Sequence, residues 1–308
     1  SRIRLEAVMT YTFPDNFLWG SSISAYQAEG GLLEDGRKLS TADFSTRKEH
    51  YCDNSVTSDF YHHYTEDIRL LGEMGAKVFR FSLAWPRIIP DGEGEVNEAG
   101  VDFYQRVLDE LDKYQIEPVV TLFHYDLPLA LQEKYGGWAD RRVVDAFEAF
   151  VRVCFERFGD RIHKFLTINE PDILLMYGGH GLDFTGEEEF IKNRLIINHH
   201  FALAHAKAVN LCHEMLPDAL IGPVFGYVPV YPESSAPLNA IAAENISDIQ
   251  NSFFQGLFLN GIYMKNVLDY FERKSDAPLI RDGDMDLLKS AKSDIIALNY
   301  YKLSLIHI

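Results

Sequence analysis

The chain of 308 residues is 47% hydrophobic and 24% charged, a globular composition that excludes disordered and fibrous classes. Its 29 basic and 46 acidic residues leave a net charge of −17, which repels nucleic-acid phosphates and anionic membranes. No basic patch offsets that field, since Arg141 and Arg142, the densest basic cluster, sit among acidic neighbours.

Short β-rich runs alternate with amphipathic segments along the chain, the pattern of parallel strands joined by crossover helices. The first predicted strand, 17–22, runs into Ser21, Ser22, Ile23 and Ser24. A helix follows from Ser58 to Gly75, with Phe60, Tyr64, Ile68 and Leu71 at three- and four-residue spacing. Strands are predicted at 78–85 and 118–125. Asp140 then caps a helix whose Val144, Phe147, Val151 and Phe155 form a stripe ending near Gly159. A shorter, more polar strand occupies 165–170. Glu187, Glu188 and Glu189 read as a solvated loop, and a long helix spans 191–216, stopped by Pro217. Strands at 220–228 and 295–301 complete the pattern. With no Ser/Gly linker anywhere, one domain over 1–308 is expected.

Two α/β architectures use this alternation, an open doubly wound sheet and a closed (β/α)8 barrel. The first strand lacks the G-x-G-x-x-G turn of a nucleotide-binding sheet, and the pair Gly92 and Gly94 has no third glycine. Polar residues instead fall at the C-terminal ends of several strands, where barrels build their sites, so a TIM barrel is expected.

Cys52, Cys154 and Cys212 are odd in number and far apart, which suggests neither disulfides nor zinc and fits a reducing cytoplasm. No apolar run approaches the eighteen residues of a membrane span. The pairs His62-His63 and His199-His200 point about 100° apart on a helix, so neither pair is expected to share a metal ion. Serine-hydrolase, phosphate-loop and zinc-peptidase motifs are absent, which leaves carboxylate chemistry.

Glu170 in Thr167-Ile168-Asn169-Glu170-Pro171 is the sharpest candidate. A partly desolvated carboxylic acid at a barrel mouth can keep its proton toward neutral pH and donate it to a leaving group. Taken alone, it is equally a helix-start carboxylate. Gln27, Arg80, His124 and Asn169 lie at or near the ends of neighbouring strands and supply amide, guanidinium and imidazole groups suited to hydroxyls.

Five ordered blocks resemble glycoside hydrolase family 1, the retaining β-glucosidases and 6-phospho-β-glucosidases. They are Phe13-Pro14-Asp15-Asn16-Phe17-Leu18-Trp19-Gly20 with Tyr26-Gln27-Ala28-Glu29-Gly30, Tyr61-His62-His63-Tyr64 with Glu66-Asp67-Ile68, Phe79-Arg80-Phe81-Ser82 with Trp85-Pro86-Arg87-Ile88, the run from Thr121 through His124-Tyr125-Asp126-Leu127-Pro128, and Asn169-Glu170-Pro171. The resemblance covers about 11–301. It implies Glu170 as general acid/base, Gln27, His124 and Asn169 as ligands of sugar hydroxyls, and Arg80 as support for the nucleophile. Asn299 and Tyr301 match a pair lining the same subsite, Tyr301 also touching the nucleophile. His62 and His63 become packing features, and neither metal nor cofactor is implied. The implied reaction is a double displacement using two carboxyl groups about 5 to 5.5 Å apart.

The sequence departs from the family after Tyr301. No T-E-N-G-like nucleophile motif follows Glu170, and barrel strands seven and eight are missing, so the fragment alone is expected to be inactive. Residues 303–308 resemble a translated library adapter, and 1–8 precede a candidate start at Met9. For the whole protein the expected substrate is a β-glucoside, with a 6-phospho-β-glucoside as the alternative. The latter is suggested by Leu39 to Asp43, by Tyr231-Pro232-Glu233, by Tyr125 where plain glucosidases often carry Trp, and by the lack of A-P-G in 176–186. A carbohydrate-binding pseudoenzyme is the alternative from another class; a dinucleotide oxidoreductase is disfavoured. Oligomeric state is not legible.

Overall fold

The computed structural model describes residues 12–46, 53–177, 187–273, 277–301 and 304–306. Met9, Cys52 and most of 176–186 lie outside them. Among the described residues there are eight strands: β1 Gly20–Ser22, β2 Val78–Ser82, β3 Glu117–Phe123, β4 Lys164–Asn169, β5 Leu220–Gly226, β6 Val230–Pro232, β7 Ala297–Asn299 and β8 Ser304–Ile306. Six of them form one parallel sheet in the order β1-β2-β3-β4-β5-β7, matching the six predicted strands. β6 and β8 pair separately, in parallel. They were not predicted.

Strand ends differ from expectation for local reasons. The first strand is confined to Gly20–Ser22, and Phe17 and Trp19 precede it, exposed and packed with Phe13 at ring separations of 4.5 to 4.8 Å. β2 stops at Ser82 because Trp85–Ile88 forms a helical turn with Pro86 in its first positions, where a missing N–H costs nothing. The acidic run is not a loop: Glu187 opens the helix Glu187–Met215, and carboxylates suit the positive end of a helix dipole. The other predicted helices are Phe60–Glu73 and Arg142–Phe158, the second with Asp140 Oδ1 accepting the Arg142 N–H at 2.9 Å. Its predicted stripe is buried, and Phe147 joins Trp85, Trp138, Phe123 and Phe150 in an aromatic core.

The sheet is rolled. β2 and β7 are four neighbour steps apart, about 19 Å in a flat sheet. Yet Arg80 on β2 donates to Asn299 Oδ1 on β7 at 3.0 Å, a gap two side chains bridge only if the sheet curls toward closure. The fold is thus an incomplete (β/α)8 barrel whose inner face gathers the ends of non-adjacent strands.

Gly222 is one condition of that curl. A Cβ there would lie 1.7 Å from the Ile295 carbonyl oxygen, a backbone atom that no rotamer change moves. Gly222→Ala is expected to destabilise the fold by about 1–3 kcal/mol through overpacking at the β5–β7 seam. The urea midpoint of the variant checks this, and an unchanged midpoint contradicts it.

Candidate active site

The site is built on an irregularity in β4. Leu166 pairs with Gly222 and Asn169 with Val224, so three steps on β4 match two on β5. Such a bulge reverses the alternation of side chains beyond it. Thr167 accordingly leaves toward the outer helix, where its Oγ1 lies 2.8 Å from His205 Nδ1, whereas Asn169 reaches inward to Arg80. Glu170 follows with φ +45°, an uncommon conformation for a non-glycine residue. Adjacent residues therefore converge: Asn299 Nδ2 donates to Asn169 Oδ1 at 3.2 Å and to Glu170 Oε1 at 2.8 Å.

Four strand ends meet in this network. Arg80 donates from Nε to Thr121 Oγ1 at 2.9 Å, from Nη1 to Asn299 and from Nη2 to Asn169 Oδ1 at 2.6 Å. Tyr125, just past β3, donates its hydroxyl to Glu170 Oε2 at 2.6 Å and accepts from Asn169 Nδ2 at 2.7 Å. Both Glu170 oxygens thus accept hydrogen bonds from neutral side-chain donors. The helix-start alternative holds only for its backbone, whose carbonyl accepts the Leu174 N–H while the carboxylate faces the mouth. Asp172 pins the same corner by accepting the Gly226 N–H at 3.0 Å.

The remaining predicted residues are placed less directly. Gln27 is exposed and donates to the Tyr26 hydroxyl at 3.0 Å, and the Tyr26 ring lies 6.4 Å from His124 and 6.2 Å from Tyr125. Gln27 therefore borders the network through Tyr26, and His124 borders it directly, its ring 4.9 Å from that of Tyr125. Tyr301 is 85% exposed and reaches Arg80 only electrostatically among the described residues. Tyr125, Thr121 and Asp172 were not among the expected site residues; Tyr125 had been singled out only for standing where plain glucosidases often carry Trp. A surface cavity of about 750 Å³, lined by Asp91, Glu93, Lys134 and neighbours, includes none of these residues.

Burial dominates the electrostatics. It pushes the Tyr125 phenol well up, with the Glu170 charge adding to the effect. It pulls the Arg80 guanidinium down, against the Glu170, Tyr125 and Tyr301 charges. Asp172 is pushed up to about 6 and the fully buried Asp126 to about 8, both chiefly by desolvation.

The histidine pairs have other roles. His62 is exposed and bonds Asp59 and Glu34 at 2.7 and 3.0 Å, a surface ion-pair position and not the packing role expected. His199 is buried between Asp284 and Tyr263, and His200 faces the Trp138 carbonyl. No cluster of three metal-ligating side chains occurs among the described residues. Cys154 and Cys212 are buried free thiols, and no helix among the described residues is long and apolar enough to cross a membrane.

The comparisons with known proteins agree with the fold. The sequence profile described as glycosyl hydrolase family 1 matches residues 9–307. The aryl-phospho-β-D-glucosidase BglC of Bacillus subtilis (strain 168) is 40% identical over 94% of this chain and 62% of its own length. The 6-phospho-β-glucosidase GmuD of the same organism is 40% identical over 95% and 64%. The solved rice Os3BGlu6 β-glucosidase superposes with a TM-score of 0.88 at 32% identity, over 95% of this chain and 65% of that one. The chain thus spans somewhat under two thirds of these relatives. A profile that spans residues 9–307, with relatives 40% identical over most of this chain, places the chain in glycosyl hydrolase family 1.

Proposed function

We propose that this chain carries the proton-transfer side of a retaining β-glucosidase, and that the whole protein cleaves terminal β-D-glucosidic bonds by double displacement. The observation that carries the reading is the Glu170 carboxylate, held at the barrel mouth by Tyr125 and Asn299 in place of helix N–H groups. Glu170 gives its proton to the glycosidic oxygen as a second carboxylate attacks the anomeric carbon and the aglycone leaves as an alcohol. It then takes a proton from the water that displaces that carboxylate. Gln27, His124 and Asn169 are assigned to sugar hydroxyls, and Asn299 and Tyr301 to the same subsite. Arg80, with Tyr301, is assigned to the nucleophile, which we place in the third of the relatives' length that this chain does not span. No cofactor enters these steps. The 308-residue chain alone is expected to be inactive. Buried free thiols support a reducing cytoplasmic setting.

A second reading, in which the glucose bears a 6-phosphate, is favoured by the names of the Bacillus relatives. Assay of the full-length protein on 4-nitrophenyl β-glucoside and on its 6-phosphate decides between them, with NMR of the first-formed sugar. Hydrolysis with β-anomer released first is the expected result. An α-anomer first, or binding without turnover of either compound, sinks the retaining mechanism and in the latter case leaves a pseudoenzyme.

A further inference from the structure

We infer that Ser24 is a positioning residue whose hydroxyl holds the Gln27 side-chain amide in the attitude that meets a sugar hydroxyl. The inference rests on the assignment of Gln27 proposed above.

Ser24-Ala25-Tyr26-Gln27 has the S-x-x-Q spacing of a capping box, in which the serine hydroxyl takes the N–H three residues on and the glutamine side chain returns to the serine N–H. That box does not form at the one-turn helix Ala25–Ala28. The Ser24 side chain makes no cap bond to the backbone, and its hydroxyl donates to Gln27 Oε1 instead. The helix end is served in other ways: the Ala25 N–H bonds Ser82 Oγ at 2.7 Å, and the Gln27 and Ala28 N–H groups bond the Ser24 carbonyl at 3.2 and 3.0 Å. The two side chains are thereby released from the backbone and joined to each other.

Stability does not explain this bond. Ser24 is 3% exposed and its hydroxyl needs an acceptor, but Gln27 is exposed, and water would satisfy its amide equally. Ordering a long exposed side chain costs rotamer entropy that one hydrogen bond to a wet amide scarcely returns. Gln27 is nonetheless pinned at both ends, by Ser24 at Oε1 and by the Tyr26 hydroxyl, which accepts from Nε2 at 3.0 Å. An amide oxygen accepts two hydrogen bonds and its nitrogen donates two, so one acceptor site and one N–H remain, and neither has a partner among the described residues. The held amide therefore presents a donor and an acceptor side by side, next to a ring that lies 6.4 Å from His124 and 6.2 Å from Tyr125. A hydroxyl, itself donor and acceptor, matches that pair. Because Gln27 loses its rotamer freedom on folding, a sugar meets an amide already in place, which is how preorganisation raises affinity.

The test is a double-mutant cycle in the full-length protein: wild type, Ser24→Ala, Gln27→Ala and the two combined. The readouts are kcat/KM on whichever of 4-nitrophenyl β-glucoside and its 6-phosphate is turned over, and the urea midpoint of each variant. Ser24→Ala is expected to lower kcat/KM by about 3- to 10-fold, the worth of one hydrogen bond, at an unchanged midpoint. In the Gln27→Ala background the same change is expected to do nothing further, since no amide is left to hold. An equal fold loss in both backgrounds, no loss in either, or a loss that comes with a lowered midpoint overturns the inference. Where Ser24→Ala fails to fold, Ser24→Cys, close in size and a weaker donor, takes its place in the cycle under the same criteria. If neither folds, the hydroxyl is structural and the inference fails. A Gln27→Ala variant as active as wild type overturns the Gln27 assignment and the inference with it, and a wild type inactive on both compounds overturns the proposed function. Both of those outcomes are read from proteins that keep Ser24, so they are distinct from the others.

Discussion

Glu170→Gln in the full-length protein is expected to lower kcat/KM on an alkyl β-glucoside by about 10²–10⁴-fold, the usual contribution of a positioned general acid. The expected loss is smaller for a nitrophenyl glucoside, whose leaving group departs as a stable phenolate and needs little protonation. That difference separates loss of an acid from loss of fold, because a misfolded variant loses both substrates equally. Gln is also a sensitive probe of the site. Glu170 accepts from Tyr125 at one oxygen and from Asn299 at the other, so the amide of Gln must turn a donor toward one of two donors. Some loss of affinity is expected beside the loss of proton transfer. Equal kcat/KM reductions on the two substrates contradict the assignment of Glu170 as the acid.

Much of this arrangement was legible because strand ends and chemistry-bearing residues coincide. Arg80, Asn169, Glu170 and Asn299 each sit on or just beyond a predicted strand, and parallel strands bring their C-terminal ends to one rim. The roles proposed for them, as acid, sugar ligands and nucleophile support, came from resemblance, since spacing along the chain says nothing about which hydroxyl an amide meets. The bulge at Leu166 to Asn169 was not legible: its cause is pairing with β5, more than fifty residues away. Tyr125 was missed for a related reason. In the sequence it stood only as a Tyr where plain glucosidases often carry Trp, and its partner Glu170 lies 45 residues on. The acidic triplet at Glu187 was misread because a charge run suits both a solvated loop and a helix start, and only the following turn decides.

Arg87→Met is expected to destabilise the protein by about 3–5 kcal/mol, the range for stranding one member of a buried ion pair. Arg87 is wholly inaccessible and Glu29 is 3% exposed. Its Nε donates to Glu29 Oε2 at 3.1 Å, its Nη2 to the carbonyls of Gly30 and Gly31 at 3.3 and 3.4 Å, and its guanidinium lies 4.3 Å from the Tyr61 ring centroid. Tyr104 supplies the other half of the cage, donating to Glu29 Oε1 at 2.6 Å while accepting the Ala84 N–H. These bonds tie the segment after β1 to the turn after β2, and Gln27 stands two residues from Glu29. Methionine fills the volume of the arginine stem but leaves a buried carboxylate with one donor. Neutralising that carboxylate removes most of the penalty, so Arg87→Met combined with Glu29→Gln is expected to be more stable than Arg87→Met alone. Urea unfolding of the wild type, both single variants and the double variant of the full-length protein measures the coupling. Strictly additive losses would mean that Glu29 and Arg87 act independently, and the tie between the first two strand ends would have to come from elsewhere.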